Sequence, residues 1–221
     1  KELGSDWSAV CYVGQEKSWL SLGNCIVWNK KKLRLKNSEN ILLPSNGRLT
    51  LKESVFSRLI AGNSFSFERR SLVVTFQYGR HIVQVANVHL NNVGGPHHRQ
   101  KQLEYILKKL NKNITFTIIS GDFNTFDLEQ TGEEIDSLQS TIGVEYADAA
   151  YDSGWTADIN RVNFDKANPI FAFIIKRLHI HIKRKLDYIW VKGVERGSLK
   201  KLDLPGSDHL PLIVTLKAKY S

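Results

Sequence analysis

Residues 118–127 read IISGDFNTFD. An apolar run ends there on Gly121 and is followed at once by an acid, Asp122, and an amide, Asn124. Upstream, Leu103, Ile106, Leu107 and Leu110 recur at helical spacing between His97 and Leu110, with charges between them. That pattern predicts an amphipathic helix. Before it, RSLVVTFQYGRHIVQVANVHL (residues 70–90) reads as two apolar strands turning around Gly79-Arg80. Strand, helix and buried strand (114–120) in that order make a crossover unit. Asp122 and Asn124 are thus expected at the end of a sheet strand.

The rest of the chain reads as mostly strands with a few helices. WSAVCYV and GNCIVWN are two short strands joined by a polar loop, KKLRLKN alternates, and residues 44–67 read as mostly loop. QTGEEIDSLQSTIG is a second helix, from near Thr131 to Gly143, and KLDYIWVKG and LPLIVTLK are late strands around a turn at Pro205-Gly206-Ser207. With 221 residues and no linker or repeat, one domain over 1–221 is expected. A hydrophobic content of 42% is enough for a substantial core.

The longest apolar run, Ile170 to Ile175, falls far short of the roughly 20 residues of a membrane-spanning helix. The opening KELGSDW lacks the apolar core of a secretory signal. Cys11 and Cys25 lie in neighbouring strand-like stretches where they can face each other. Two thiols do not make a disulfide framework, so a reducing intracellular compartment is expected. The 31 Lys and Arg against 22 Asp and Glu give a formal charge of +9, which favours polyanionic partners such as nucleic acid or anionic lipid.

Polar clusters recur where strands end: Asn87 and His89 in VANVHLNN, Asp122 and Asn124 in SGDFNT, Asp187 in KLDYIWV, Asp208 and His209 in GSDHLPL. One strand-end carboxylate is usually a turn-former or cap. Four clusters suggest a shared chemistry. Mg²⁺ takes carboxylate and amide oxygens and completes its shell with water and phosphate, and Asp122, Asn124 and Asp208 offer such oxygens. A carboxylate can activate water, His89 and His209 can donate to phosphate oxygens, and Asp187 is the natural partner to orient His209.

In this order, VHL, SGDFNT, KLDYIWV and SDHLPL resemble the endonuclease/exonuclease/phosphatase (deoxyribonuclease I-like) superfamily over roughly residues 8–218. The resemblance implies an α/β fold: a two-sheet sandwich flanked by helices, with the active site where strand ends converge. It implies a metal-dependent phosphoesterase using Mg²⁺ or Mn²⁺. Asp122 would orient or deprotonate water, Asn124 contact metal or phosphate, His89 steady the transition state, Asp208 help bind metal, and His209, backed by Asp187, hold the scissile phosphate. HLNN followed by HHRQKQLEYI resembles the segment that places Asn91 at the phosphate site and Arg99 either on phosphate or in a structural ion pair. Trp155 in SGWTAD falls where some relatives place an aromatic near substrate, the alternative being a core role.

Family members also begin with an Asn-bearing strand and a Gln-Glu strand whose glutamate is a principal metal ligand. Neither stands before LGSDW; Glu2 precedes it and Glu16 falls in the next loop. The expectation is a sequence that starts after those strands, with an upstream segment or second chain completing the sheet. Basic residues cluster at 30–36 and again at 176–185, where His179 and His181 alternate with Leu178, Ile180 and Ile182. These read as solvated faces or as an arm tracking a nucleic acid backbone. The apolar PIFAFII beside the second cluster allows an alternative, docking on an anionic membrane to reach a lipid phosphodiester. A catalytically inactive binding module is the third reading.

Overall fold

Along RSLVVTFQY, Leu72, Val74 and Phe76 point to one side and Ser71 and Val73 to the other, and all five are buried. A strand with two buried faces sits between layers, and this one organises the molecule. The computed structural model describes residues 4–13, 23–45, 68–92, 94–125, 132–158, 161 and 183–219. In chain order they form β1 (Trp7–Val13), β2 (Gly23–Asn29), β3 (Arg34–Leu42), β4 (Arg70–Tyr78), β5 (His81–His89), α1 (Gly95–Lys109), β6 (Phe116–Asp122) and α2 (Glu133–Ile142). After these come β7 (Ala147–Asp148), β8 (Ala157–Asp158), β9 (Lys183–Arg184), β10 (Asp187–Lys192), β11 (Val194–Lys201) and β12 (Leu212–Ala218).

The main sheet runs β3-β4-β5-β6-β10-β7. Its one parallel pair, β5 with β6, is the pair joined by α1, as a crossover connection requires. On one face, α1 and α2 cover a core of Val73, Ala86, Val88, Leu103, Ile106, Ile119, Leu138 and Trp190, among others. On the other, the β1–β2 hairpin lays Val10, Ile26 and Trp28 against Leu72, Val74 and Phe76. The architecture is the expected two-sheet sandwich with helices outside. Its β1–β2 and β11–β12 pairs are each two-stranded sheets.

Local sequence explains the helices. Gly94 in the left-handed region turns the chain into α1, Pro96 occupies its first turn, and Lys108 and Lys109 favour its C-terminal dipole. Three acids, Glu133, Glu134 and Asp136, open α2. Both helices fall within two residues of their expected ends.

Cys11 and Cys25 stand directly opposite each other across β1 and β2, with Cα atoms 4.0 Å apart, and are joined as a disulfide. The two do face each other, as their neighbouring strands allow, but the bond departs from the reducing compartment expected from so few cysteines. The antiparallel register of β1 and β2 makes them direct partners, fourteen residues apart in sequence. Residues 46–67, the basic and apolar run 169–182 with His179 and His181, and Glu2 and Glu16 lie outside the described residues. Of the second basic cluster, Lys183 and Arg184 pair with Ala157 and Asp158. No helix of the described residues is long and apolar enough to cross a membrane.

Gly121 shows how tightly the site's strand is held. Its φ of 139° suits glycine, and a Cβ there would run into the Val88 carbonyl oxygen on β5. Gly121→Ala is expected to cost about 2–3 kcal/mol. Gly79→Ala, at φ 56° but facing open space, should cost about 1–2 kcal/mol. Equal losses in urea melts of the two variants would refute the close approach of β5 and β6 at this point.

Candidate active site

Sheet register lines up three of the expected residues. His89 on β5 pairs with Asp122 on β6, and Asp122 pairs with Asp187 on β10. Neighbouring strands lie roughly 4.8 Å apart, so the row brings an imidazole and two carboxylates together at the ends of three strands. His209 reaches the row from the loop before β12, anchored by the bridge between Ala157 and His209.

Both imidazoles address one atom. His89 Nε2 lies 3.5 Å and His209 Nε2 3.8 Å from Asp122 Oδ2. The other Asp122 oxygen accepts the Asn124 backbone N–H at 2.8 Å. Burial, then the neighbouring Asp187 carboxylate, pushes the Asp122 carboxyl up to about 7, which suits a proton acceptor at neutral pH. His209 Nδ1 sits 2.8 Å from Asp187 Oδ2. That hydrogen bond is the first cause of a His209 pKa raised to about 9, so the ring is an imidazolium at neutral pH.

Two residues that the sequence reading missed complete the arrangement. Thr156, fully buried, donates from its hydroxyl to Asp187 Oδ2 at 2.7 Å and accepts the backbone N–H groups of Leu186 and Asp187. It fixes the carboxylate that fixes His209. Arg69 Nη1 lies 3.3 Å from His89 Nδ1. Arginine only donates, so His89 Nδ1 must accept and the ring carries its proton on Nε2, aimed at Asp122. Burial first, then Arg69 and His209, drive the His89 pKa down to about 3, and His89 is a neutral donor at any working pH. Thr156 adjoins the SGWTAD tryptophan and Arg69 precedes a strand, but no local pattern distinguishes either from an ordinary loop residue.

Other expectations are corrected. Asn91 is 1% exposed, and its backbone and side chain are engaged by Gln102, Arg69, His98 and Arg99, so it braces the site from behind. Arg99 is buried in an ion pair with Glu134, Nε to Oε1 at 2.5 Å, which joins α1 to α2. Its structural alternative is the one found. Trp155 is half-buried beside Thr156, with Lys183 Nζ 4.4 Å and Lys201 Nζ 4.7 Å from its ring centre. It borders the site and does not belong to the core.

The expected metal ligands do not form a cation site among the described residues. Asn124, in the left-handed region at φ 52°, turns its amide nitrogen to the Leu90 carbonyl and is 4% exposed. Asp208 makes its backbone contact with Asp158 and lies close enough to His209 to raise its pKa. His209 and Thr156 both bond to Oδ2 of the Asp187 carboxylate. No three acidic, histidine or cysteine residues among those described are grouped to hold a metal. Mg²⁺ needs only one or two protein carboxylates, with water and phosphate completing its octahedron, and in this row Asp122 would supply one of them.

Asp187→Asn tests the orienting pair. A raised histidine pKa contributes stability that is present below about 6.5 and lost as pH rises through about 9. In the variant, the NMR titration midpoint of His209 is expected to fall towards 6.5, taking that high-pH loss of stability with it. An unmoved midpoint would refute the role of Asp187.

No protein-family model and no curated protein matches the chain in sequence. Its fold is similar to that of an endonuclease/exonuclease/phosphatase family protein from Leptotrichia buccalis (TM-score 0.64, 18% identity, 97% of this chain and 73% of that one). It is also similar to D. rerio TDP2 complexed with a single-strand DNA product (0.62, 15%, 96% and 78%). A third similar structure is the mannosyl-6-phosphatase of Bacteroides thetaiotaomicron (0.59, 16%, 96% and 78%). At these identities the likeness is one of fold, and the fold is that of the endonuclease/exonuclease/phosphatase proteins.

Proposed function

We propose that the chain is a phosphoesterase that hydrolyses nucleic acid phosphodiesters by attack of water at phosphorus. The observation that carries this reading is the convergence of His89 Nε2 and His209 Nε2 on Asp122 Oδ2. In this reading Asp122 takes a proton from water as the water oxygen bonds to phosphorus, while the bond from phosphorus to the leaving oxygen breaks and that oxygen takes up a proton from solvent. His89 donates from Nε2 to a non-bridging oxygen, and the His209 imidazolium balances the charge that develops there. Asn124 holds the Asp122 carboxylate through its backbone N–H, and Asp208 adds negative charge beside His209.

Nucleic acid is favoured as substrate by the +9 charge and by Lys183, Lys201 and Trp155 at the border of the site. Similar folds serve other phosphoesters, as the mannosyl-6-phosphatase illustrates, so the substrate is the element to test. Mg²⁺ or Mn²⁺ is the cofactor that the fold suggests. Among the described residues Asp122 would contribute an oxygen to it, and the ion would act as a Lewis acid on the phosphate.

The test is a panel of single-stranded DNA, RNA, a sugar phosphate, an inositol phosphate and sphingomyelin, each with Mg²⁺, with Mn²⁺ and with a chelator. Hydrolysis of an oligonucleotide, with His89→Ala and His209→Ala each reducing turnover by about 10²-fold or more, is the expected outcome. Cleavage of the sugar phosphate or of sphingomyelin alone would replace nucleic acid as the substrate. No hydrolysis under any condition would leave a binding module.

A further inference from the structure

Arg69 is 6% exposed, and among the described residues no carboxylate forms an ion pair with it. Its Nε reaches Asn91 Oδ1 at 3.3 Å and its Nη1 reaches His89 Nδ1, both neutral acceptors. Nothing described accepts from its Nη2. Burial lowers its pKa to about 10, with Asp122 acting on it from longer range in the opposite sense, and at neutral pH the guanidinium keeps its charge. A buried cation without a counter-ion is costly.

The guanidinium lines a small solvent-open cleft, together with Tyr12, Asn24, Glu68, Arg70 and His89. The one acid there, Glu68, is engaged by Arg70, whose Nε and Nη2 both donate to its Oε1 at 2.9 and 2.5 Å. Arg70 is held further by the Tyr12 ring, 4.7 Å from its Cζ. Among the described residues the cleft therefore carries one positive charge, that of Arg69, with no ion-pair partner. The cleft is small and open to solvent, so only a small ligand such as a single anion fits it.

We propose that this cleft is an oxyanion subsite for a phosphate group, held by the Arg69 guanidinium and separated from Asp122 by the His89 ring. Planar guanidinium donors match phosphate oxygens in geometry as well as charge. Calling this anion a second phosphate of the substrate rests on the phosphoesterase reading; the subsite itself does not. Because Arg69 also sets the His89 tautomer, a phosphate bound here would press on the residue that addresses the reacting group.

Inorganic phosphate titrated into the whole chain, followed by ¹H–¹⁵N NMR, tests the site without any turnover. Shifts concentrated at the Tyr12 and Asn24 amides and the Arg69 Nε–H are expected. Arg69→Gln should weaken that binding by about tenfold or more. Shifts confined to Thr156 and His209, or no shifts at all, would overturn the proposal. So would an Arg69→Gln protein that binds equally well. Should that variant fail to fold, the map on the native chain decides alone. A protein that binds phosphate here yet hydrolyses no phosphoester keeps the subsite and loses only the substrate assignment.

Discussion

Asp122→Asn is expected to lower turnover of the responsive substrate by about 10²–10⁴-fold and to make the protein more stable at pH 8. The two effects share a cause. Asparagine keeps an oxygen for the Asn124 N–H but cannot take a proton from water. Asp122 is an acid whose pKa in the fold, about 7, lies above its ordinary 3.8. The stability its proton contributes is therefore fully present below about 3.8 and lost as the pH rises through about 7. Asparagine is neutral throughout and escapes the loss. The gain should appear in Tm at pH 8, at about 2–4 °C per kcal/mol, and vanish near pH 4. A variant with lower Tm at pH 8, or with turnover within a few-fold of the native chain, would contradict both the burial of the charge and its role as base.

Glu134→Ala is expected to cost about 3–5 kcal/mol, because it strands the Arg99 guanidinium between two helices without its carboxylate. The double variant Arg99→Met, Glu134→Leu should recover most of that loss, since a packed apolar pair avoids the desolvation penalty altogether. In the double variant KM should stay within a few-fold of native. A large rise in KM would restore Arg99 to the substrate, and an additive loss in the double variant would deny the coupling. Urea denaturation of the two variants, with kinetics on the folded double variant, decides the matter.

These outcomes also mark what could be read from the residues in order. The β4–β5 hairpin, the crossover through α1 and the strand-end location of His89, Asp122 and Asp187 were legible because each follows from periodicity over a few residues. The His209–Asp187 contact was legible from chemistry alone, an imidazole needing a carboxylate to orient it. Asn91 and Arg99 were not, since nothing local tells a polar residue on a helix or loop whether it will face solvent, substrate or Glu134. Arg69 and Thr156 act through contacts across 20 and 31 residues, and those exist only once the sheet is assembled.

The pairing of His89 with Asp122 and of Asp122 with Asp187 ties chemistry to strand alignment. Side chains alternate sides along a strand, so losing a single residue inside β6 would swing Asp122 to the helix-covered side and send Ile119 towards the opposite hairpin. Length changes can accumulate in the connecting loops of this protein, whereas the three strands must be inherited residue for residue.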